Sequence, residues 1–529
     1  MGMFLNPGNA GFAAAVRSQI YVDKTKMIEF TNSVLGTEQR FVCVSRPRRF
    51  GKSMAAKMLS AYYSKGCDSL HLFDKYKIAQ SEHFRNELNQ SNVLHLDIQW
   101  FRSVAKDKGI LKKTVSYLQS EVVRELKQQY PDIVSEQDVS LPELLLRIHS
   151  LTGEQFVVII DEWDCLFRED KENKELQDEY INFLRGMFKG TLAESSIKFS
   201  YMTGILPIKK YGTESALNNF DEYTMVDPVP LEEYIGFTEA EVKRLCDDYQ
   251  MDFYKTKQWY DGYLLGKDLH VYSPKSVLDA IRKRRYGSHW TQTETYESLK
   301  AYINMDFDGL KSTIISMLDG ASCQIDTGAF QNDMTSFKSR DDVLTLLVHL
   351  GYLAYHGDKV FIPNAEVGDE FYRAVKHTDW EEITRILMRS EELLDATFQM
   401  KAEEVAKIID EVHGDSSVSH LKYNDENSLS FVIANAYFCA RKDYTLIREL
   451  PAGKGFADMV FLPKRSSDKP ALLIELKWDK AAEGAIAQIK SKQYVKALEN
   501  YGGDILVVGI NYSRKTRKHE CVIEMHKKS

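Results

Sequence analysis

Residues 45–53 read Ser45-Arg46-Pro47-Arg48-Arg49-Phe50-Gly51-Lys52-Ser53. The stretch follows a short β-branched apolar run at 41–45 and opens a helical pattern over 54–63. Strand, Gly-Lys-Ser and helix in that order are the setting in which main-chain amides at a helix start hold phosphate, aided by the positive end of the helix dipole. The loop from Arg46 through Arg48, Arg49 and Phe50 to Gly51 would wrap the phosphates. Lys52 would reach the β and γ phosphates of ATP, and Ser53 would set its hydroxyl on Mg²⁺. Arg46 occupies the place where such loops usually have their first glycine, which reduces backbone freedom there. Arg46, Arg48 and Arg49 bring positive charge instead. Taken alone, Gly-Lys-Ser is common, and a solvated basic loop is the plain alternative.

A second element answers the first. Phe156-Val-Val-Ile-Ile160 is an apolar strand ending in Asp161-Glu162. Asp161 would hold the metal, and Glu162 would act as general base toward the attacking water. The competing reading is a strand-to-helix turn with aspartate as a helix cap. Thr203, with Gly204, ends a third run at 198–202 and could orient the same water. Runs at 41–45, 93–98, 156–160, 198–202 and 222–226 alternate with helical patterns, which predicts a parallel sheet with helices on both faces and its ligand beyond the carboxyl ends of the strands.

The chain has 529 residues, enough for three to four domains at roughly 150 residues each. The formal net charge is −8, so contact with nucleic acid must use local basic patches. The seven cysteines are scattered, and no CxxC pair occurs, which argues for a reducing compartment without a disulfide framework or cysteine-rich zinc site. No apolar run approaches the roughly 18 residues of a membrane span, and the first residues do not resemble a signal peptide. A cytoplasmic protein without membrane contact is expected. The sequence divides into an α/β region at 1–227, a helical lid or connector at 228–415, with a long amphipathic stretch at 381–412, and a second α/β region at 416–529.

The last region reads as helix, three strands, helix, strand. Asp458 opens its second strand, and Glu475 and Lys477 lie on its third, as Ile474-Glu-Leu-Lys477. Residues two apart on a strand share a face, so Glu475 and Lys477 project together and Asp458 can meet them from the neighbouring strand. Two carboxylates form an oxygen site for Mg²⁺ or Mn²⁺, and the lysine can assist the attacking water and stabilise charge on a phosphate. A cross-strand salt-bridged surface is the alternative. Glu426, at the start of the preceding helix, could add a metal contact or serve only as favourable charge at a helix start. Gln488, with Lys492 and Tyr494 beyond it, could orient the site or form a solvated helix face.

In these residues the chain resembles a bacterial family of AAA-type ATPases with a C-terminal PD-(D/E)xK nuclease-like domain. Nearly the whole chain takes part. The marks are Tyr21-Val-Asp-Lys-Thr25, the loop at 45–53, Ile160-Asp-Glu-Trp-Asp164, Thr203-Gly204, Trp259-Tyr-Asp-Gly-Tyr263 and Val271-Tyr-Ser-Pro274. Arginine at position 46 is usual in that family. The resemblance implies a P-loop NTPase sheet, a helical middle and a restriction-endonuclease-like domain. Its nuclease motif falls on Asp458, Glu475 and Lys477, with Glu426 and Gln488 as auxiliaries and Ala457 where the fold's name has proline. AAA-type ATPases often complete their nucleotide sites with an arginine from a neighbouring copy, so the resemblance makes a homo-oligomer possible, and the residues single out neither that arginine nor the oligomeric state.

In the middle region, Trp259, Tyr260 and Tyr263 could stack on a base or pack against the ATPase core, and packing is the better reading. The basic run Arg282–Arg285 and the cations after Arg514 could meet DNA phosphates or simply be solvated. The expected function is an ATP-binding, Mg²⁺-dependent nuclease whose nucleotide state controls cleavage of DNA, with DNA preferred over RNA on fold analogy alone. The rivals are an ATP-switched binding module that does not cut and a plain ATPase whose C-terminal domain recognises a partner.

Overall fold

A computed structural model describes residues 2–135, 137–208, 210–211, 214–215, 217–290, 295–305, 307, 309–318, 320–328, 330, 337–376, 381–414, 426–452, 455–463, 469–491, 498, 501 and 503–526. Contacts divide the chain into two units, Met1–Gly368 and Asp369–Ser529. All five apolar runs of the first region form parallel strands, since buried backbone must bond across a sheet and the side chains suit two covered faces. They are β1 (Phe41–Ser45), β2 (Asn92–Asp97), β3 (Phe156–Asp161), β4 (Ile197–Gly204) and β5 (Asp221–Tyr223), in the order β2-β3-β4-β1-β5. Strands β1 and β3 are buried along their whole length. Because β4 lies between β1 and β3, Thr203 stands in register with both Val44 and Asp161. The ends of the phosphate loop's strand and the acidic strand are thereby brought to one edge of the sheet.

Helix α1 (Lys52–Tyr63) begins two residues before the expected start, with Gly51 as its N-cap at φ +100°. Beyond β5 the first unit is mainly helical, including Glu239–Asp248, Phe253–Tyr260, Pro274–Lys283 and Arg340–Leu350. It also holds two three-stranded antiparallel sheets absent from the sequence reading. Their strands have two to four residues each, too short for a period of two to declare itself.

The second unit is built on β6 (Tyr444–Ala452), β7 (Gly455–Pro463), β8 (Ala471–Trp478), β9 (Ile505–Ser513) and β10 (Lys518–His526), in sequence order. Strands β8 and β9 are parallel and the other pairs antiparallel. The parallel pair needs a crossover, supplied by α2 (Ala482–Ser491). Helix α2 covers one face with Ala485, Ile486 and Ile489, and the opposite face packs on Leu393, Val405, Ile409 and Ile433. Two expectations change here. The amphipathic stretch at 381–412 is two helices, Glu381–Phe398 and Ala402–Gly414, interrupted where Met400 takes φ +56°, and both belong to the core of this unit. The contact division therefore falls earlier than the change of pattern near residue 415. Strand β10 was not expected, because its charged residues dilute the apolar alternation of an edge strand.

Candidate nucleotide and metal sites

The loop after β1 is held from several sides. Arg46 is fully buried, and its Nη1 donates to the carbonyls of Ser45 (2.9 Å), Tyr223 (3.0 Å) and Thr224 (2.8 Å). Its guanidinium thus ties the loop to the end of β5, and burial brings its pKa down to about 10. Pro47 lies against Gly351, where a side chain would meet the proline at 2.6 Å. The Trp290 indole donates to the Arg48 carbonyl (3.1 Å), and Phe50 stacks edge-on with Tyr263 (5.3 Å). Arg48 pairs with Glu169 (3.2 Å), and Arg49 is exposed at φ +70°. Gly51 needs its positive φ, and a side chain there would meet nothing within 4 Å, so the space above the helix start is open.

Lys52 is buried, donates to the Pro47 carbonyl (3.1 Å) and lies 3.9 Å from Glu162. Burial pulls its pKa down, against the neighbouring carboxylates of Glu162, Asp164 and Asp161. Burial raises the Asp161 pKa to about 6, with the neighbouring Ser53 hydroxyl working against that rise. Glu162 takes φ +53° and is gripped by Arg168 Nη2. The Thr203 hydroxyl donates to the Val44 carbonyl (3.1 Å). Gly204 is required because a side chain there would strike Asp164 and Trp163 at 2.6–2.7 Å. Next to Gly51, a cavity of about 210 Å³ is walled by Ile20, Tyr21, Val22, Phe50, Tyr234 and Phe237 among others.

The second site lies between β7, β8 and α2. The antiparallel ladder of β7 and β8 pairs Met459 with Ile474 and goes no further toward Asp458. There Asp458 Oδ2 accepts the Leu476 amide (2.7 Å), which fixes that carboxylate beside Glu475. Glu475 is 1% exposed. Its Oε1 accepts from Lys477 Nζ (3.0 Å) and from Gln488 Nε2, while Oε2 is buried without a hydrogen-bond partner among the described residues. Burial, then repulsion from Asp458, raises the Glu475 pKa to about 7. Gln488 reaches across because α2 lies tight on β9, where a side chain at Gly509 would meet the Ala482 carbonyl at 2.7 Å. The donor set, two carboxylates with an orphaned oxygen, fits a hard divalent cation.

Residues 13–213 match the family described as predicted AAA-ATPase, and residues 425–521 match the PD-(D/E)XK nuclease superfamily. The chain carries an AAA-ATPase-like domain and a PD-(D/E)XK nuclease superfamily domain. A protein of Azotobacter chroococcum mcd 1, described as an uncharacterized protein in the vnfD 5′ region, is 24% identical over 278 residues, which is 52% of this chain and 51% of that protein. The chain thus spans about half the length of that relative. Among solved structures, the Walker-type ATPase paby2304 of Pyrococcus abyssi is 14% identical, with a TM-score of 0.34 over 66% of this chain and 94% of that one. The ORC2 protein of Aeropyrum pernix is 12% identical, with a TM-score of 0.23 over 69% of this chain and 93% of that one. The fold assignment stands on the strand order and the family matches.

In the ATPase-like domain, Lys52, Ser53, Asp161, Glu162 and Thr203 converge at one edge of the sheet. Arg46 and Phe50 direct their side chains into packing, and Pro47 is buried. Two residues escaped the sequence reading. Asp164 accepts the amides of Ile205 (3.1 Å) and Leu206 (2.8 Å), and Arg168 pairs with Asp164 (2.9 Å), Glu162 and Glu169 (3.4 Å). The i,i+4 spacing of Asp164 and Arg168 was their available signal. In the nuclease-superfamily domain, Asp458, Glu475, Lys477 and Gln488 come together. Glu426 starts the helix Glu426–Ala436, but its side chain, like Lys492 and Tyr494, lies outside the described residues. Tyr260 and Tyr263 are buried, and Tyr263 donates to the Gly351 carbonyl (2.6 Å), which leaves them no free face for a base. Among the described residues no helix is long and apolar enough to cross a membrane.

Proposed function

We propose that the chain binds and hydrolyses ATP at the edge of the first sheet, and cleaves phosphodiester bonds of DNA at Asp458, Glu475 and Lys477, with nucleotide state controlling the cleavage. The observation that carries the nuclease reading is Glu475 Oε2, a buried carboxylate oxygen with no donor among the described residues, held beside a second carboxylate and an ammonium. Leaving such a group unsatisfied costs on the order of 1–3 kcal/mol, and a divalent cation removes that cost. Mg²⁺ or Mn²⁺ bound by Asp458 and Glu475, with Glu426 as auxiliary, supplies Lewis-acid charge at a phosphoryl oxygen and makes water more acidic.

The chain's own groups prepare that site. The Leu476 amide fixes Asp458, and Gln488 holds the inner oxygen of Glu475. Lys477 keeps positive charge where negative charge grows on the phosphate. In the ATPase-like domain Lys52 draws the β and γ phosphates. Ser53 and Asp161 hold the metal of the nucleotide, Glu162 takes the proton of the attacking water, and Thr203 orients it. The apolar cavity beside Gly51 would receive the base. The Arg46 guanidinium, whose Nη1 is taken up by three main-chain carbonyls, acts by bracing the loop.

The test is cleavage of single-stranded and duplex DNA with Mg²⁺ or Mn²⁺, with and without ATP. Wild type is expected to cut, Lys477→Ala to lose cutting, and Lys52→Ala to lose the effect of ATP. Turnover of ATP without cleavage of DNA or of an RNA control would replace this reading with the switched binding module.

A further inference from the structure

Strand β8 delivers Glu475 and Lys477, and its parallel neighbour β9 runs beside it with Lys477 opposite Asn511 and Trp478 opposite Tyr512. Both strands therefore end on the same side. Just past that end, β9 turns into β10 through Arg514-Lys515-Thr516-Arg517, and Lys518 opens β10. Residues 514–518 are all exposed, carry four cations and include no acid, in a chain whose net charge is −8. Lys480, on the segment leaving β8, is a fifth exposed cation, with its amide donating to Asn511 Oδ1 (3.0 Å).

The turn is firmly built. Arg517 takes φ +56°, and its amide donates to the Ser513 carbonyl (2.8 Å). Asp479 accepts the Arg514 amide (2.7 Å) and pairs with its guanidinium. The base of β10 is anchored where the His519 amide and ring both meet Asp410 (2.8 and 2.7 Å). The main chain of the turn is thus held, with the Arg514 guanidinium paired to Asp479 and the side chains of Lys515, Arg517 and Lys518 exposed. Paired residues share a face, so Lys518, opposite Ser513, projects on the face that carries Asn511 and Lys477. Ser513 lies two residues past Asn511, which is about 7 Å along the strand. Duplex DNA advances about 3.4 Å per nucleotide on each strand, so that distance spans about two nucleotides.

We propose that Lys480, Arg514, Lys515, Arg517 and Lys518 form a docking ridge for the phosphate backbone of duplex DNA, which seats a phosphate about two to four nucleotides away over Lys477 and Glu475. The inference rests on the nuclease reading of that site. Contacts to phosphate alone set position and carry no base sequence. Duplex DNA is the occupant because its phosphates, one per about 1.7 Å of axis, present the charge density that five clustered cations neutralise with the greatest release of counterions.

The experiment measures binding of a fluorescent duplex to the full chain in EDTA across a range of salt. The variants are Lys515→Ala/Lys518→Ala and, as a control that removes equal charge elsewhere on the same unit, Lys401→Ala/Lys407→Ala. The ridge variant is expected to bind more weakly and to flatten the slope of log K against log salt by about 1.8, two contacts at about 0.9 each. The control should keep the wild-type slope. Equal slopes for ridge variant and wild type, equal losses in both variants, or no binding of duplex by wild type would each overturn the proposal. A single-stranded probe bound more tightly than the duplex, with the same dependence on the ridge, would overturn the choice of duplex. Cleavage by wild type and Lys477→Ala, followed separately with Mg²⁺, reports on the nuclease reading itself. Binding without cutting would leave the ridge in place and remove that reading.

Discussion

In the proposed reaction Arg168 would keep the base, Glu162, in place before its substrate arrives. It holds Glu162, which sits at a left-handed φ that costs a non-glycine residue on the order of 1 kcal/mol or more. Arg168→Ala should lower kcat for ATP hydrolysis on the order of 10²-fold, as expected when a general base loses its alignment, with a much smaller change in ATP affinity. Arg168→Lys should recover part of kcat. Because Arg168 is buried, steady-state kinetics should be read beside thermal melting, and equal losses of kcat and ATP affinity would count against the positioning role. His349 offers a stability test at the same scale. Burial, with Arg46 adding to it, holds its pKa down to about 3, against 6.5 in the unfolded chain. Below pH 6.5 the unfolded chain takes a proton that the folded one refuses. The neutral ring's contribution is therefore complete above pH 6.5 and is lost as pH falls toward 3, by about 1.4 kcal/mol per pH unit. Denaturant titrations at pH 7, 5 and 4 should show His349→Leu losing less stability with acid than wild type.

At the scale of elements, Gly509 sets the distance between α2 and β9. Gly509→Val should cost about 1–3 kcal/mol through overpacking and should reduce cleavage more than duplex binding, because it pushes Gln488 away from Glu475. Chemical denaturation and the two DNA assays separate those effects. Elements of this kind were legible in the sequence where one pattern ran long enough. The apolar strand ending in Asp161-Glu162 and the alternation in Ile474-Glu-Leu-Lys477 declared their structure and the shared face of Glu475 and Lys477. The two small antiparallel sheets were not legible, since strands of two to four residues leave no periodicity to read. The break at Met400 was hidden because neither glycine nor proline marks it. The pairing of Arg168 with Glu162 was hidden because the two are six residues apart, outside helical spacing, and meet through the left-handed turn at Glu162.

For the whole molecule, division into two units with separate cores predicts two steps of unfolding. ATP with Mg²⁺ should raise the step belonging to the ATPase-like domain, by about 2.7 kcal/mol at a hundredfold excess over Kd, and Lys52→Ala should abolish that shift. Calorimetry checks both, and a single transition raised uniformly by nucleotide would show the units to be energetically coupled. The hydrogen bond from Trp290 to the Arg48 carbonyl reaches into optics. It places one of the chain's six tryptophans on the main chain of the loop at 45–53, so indole emission, compared between wild type and Trp290→Phe, should serve as a label-free clock for the proposed arrival and departure of nucleotide.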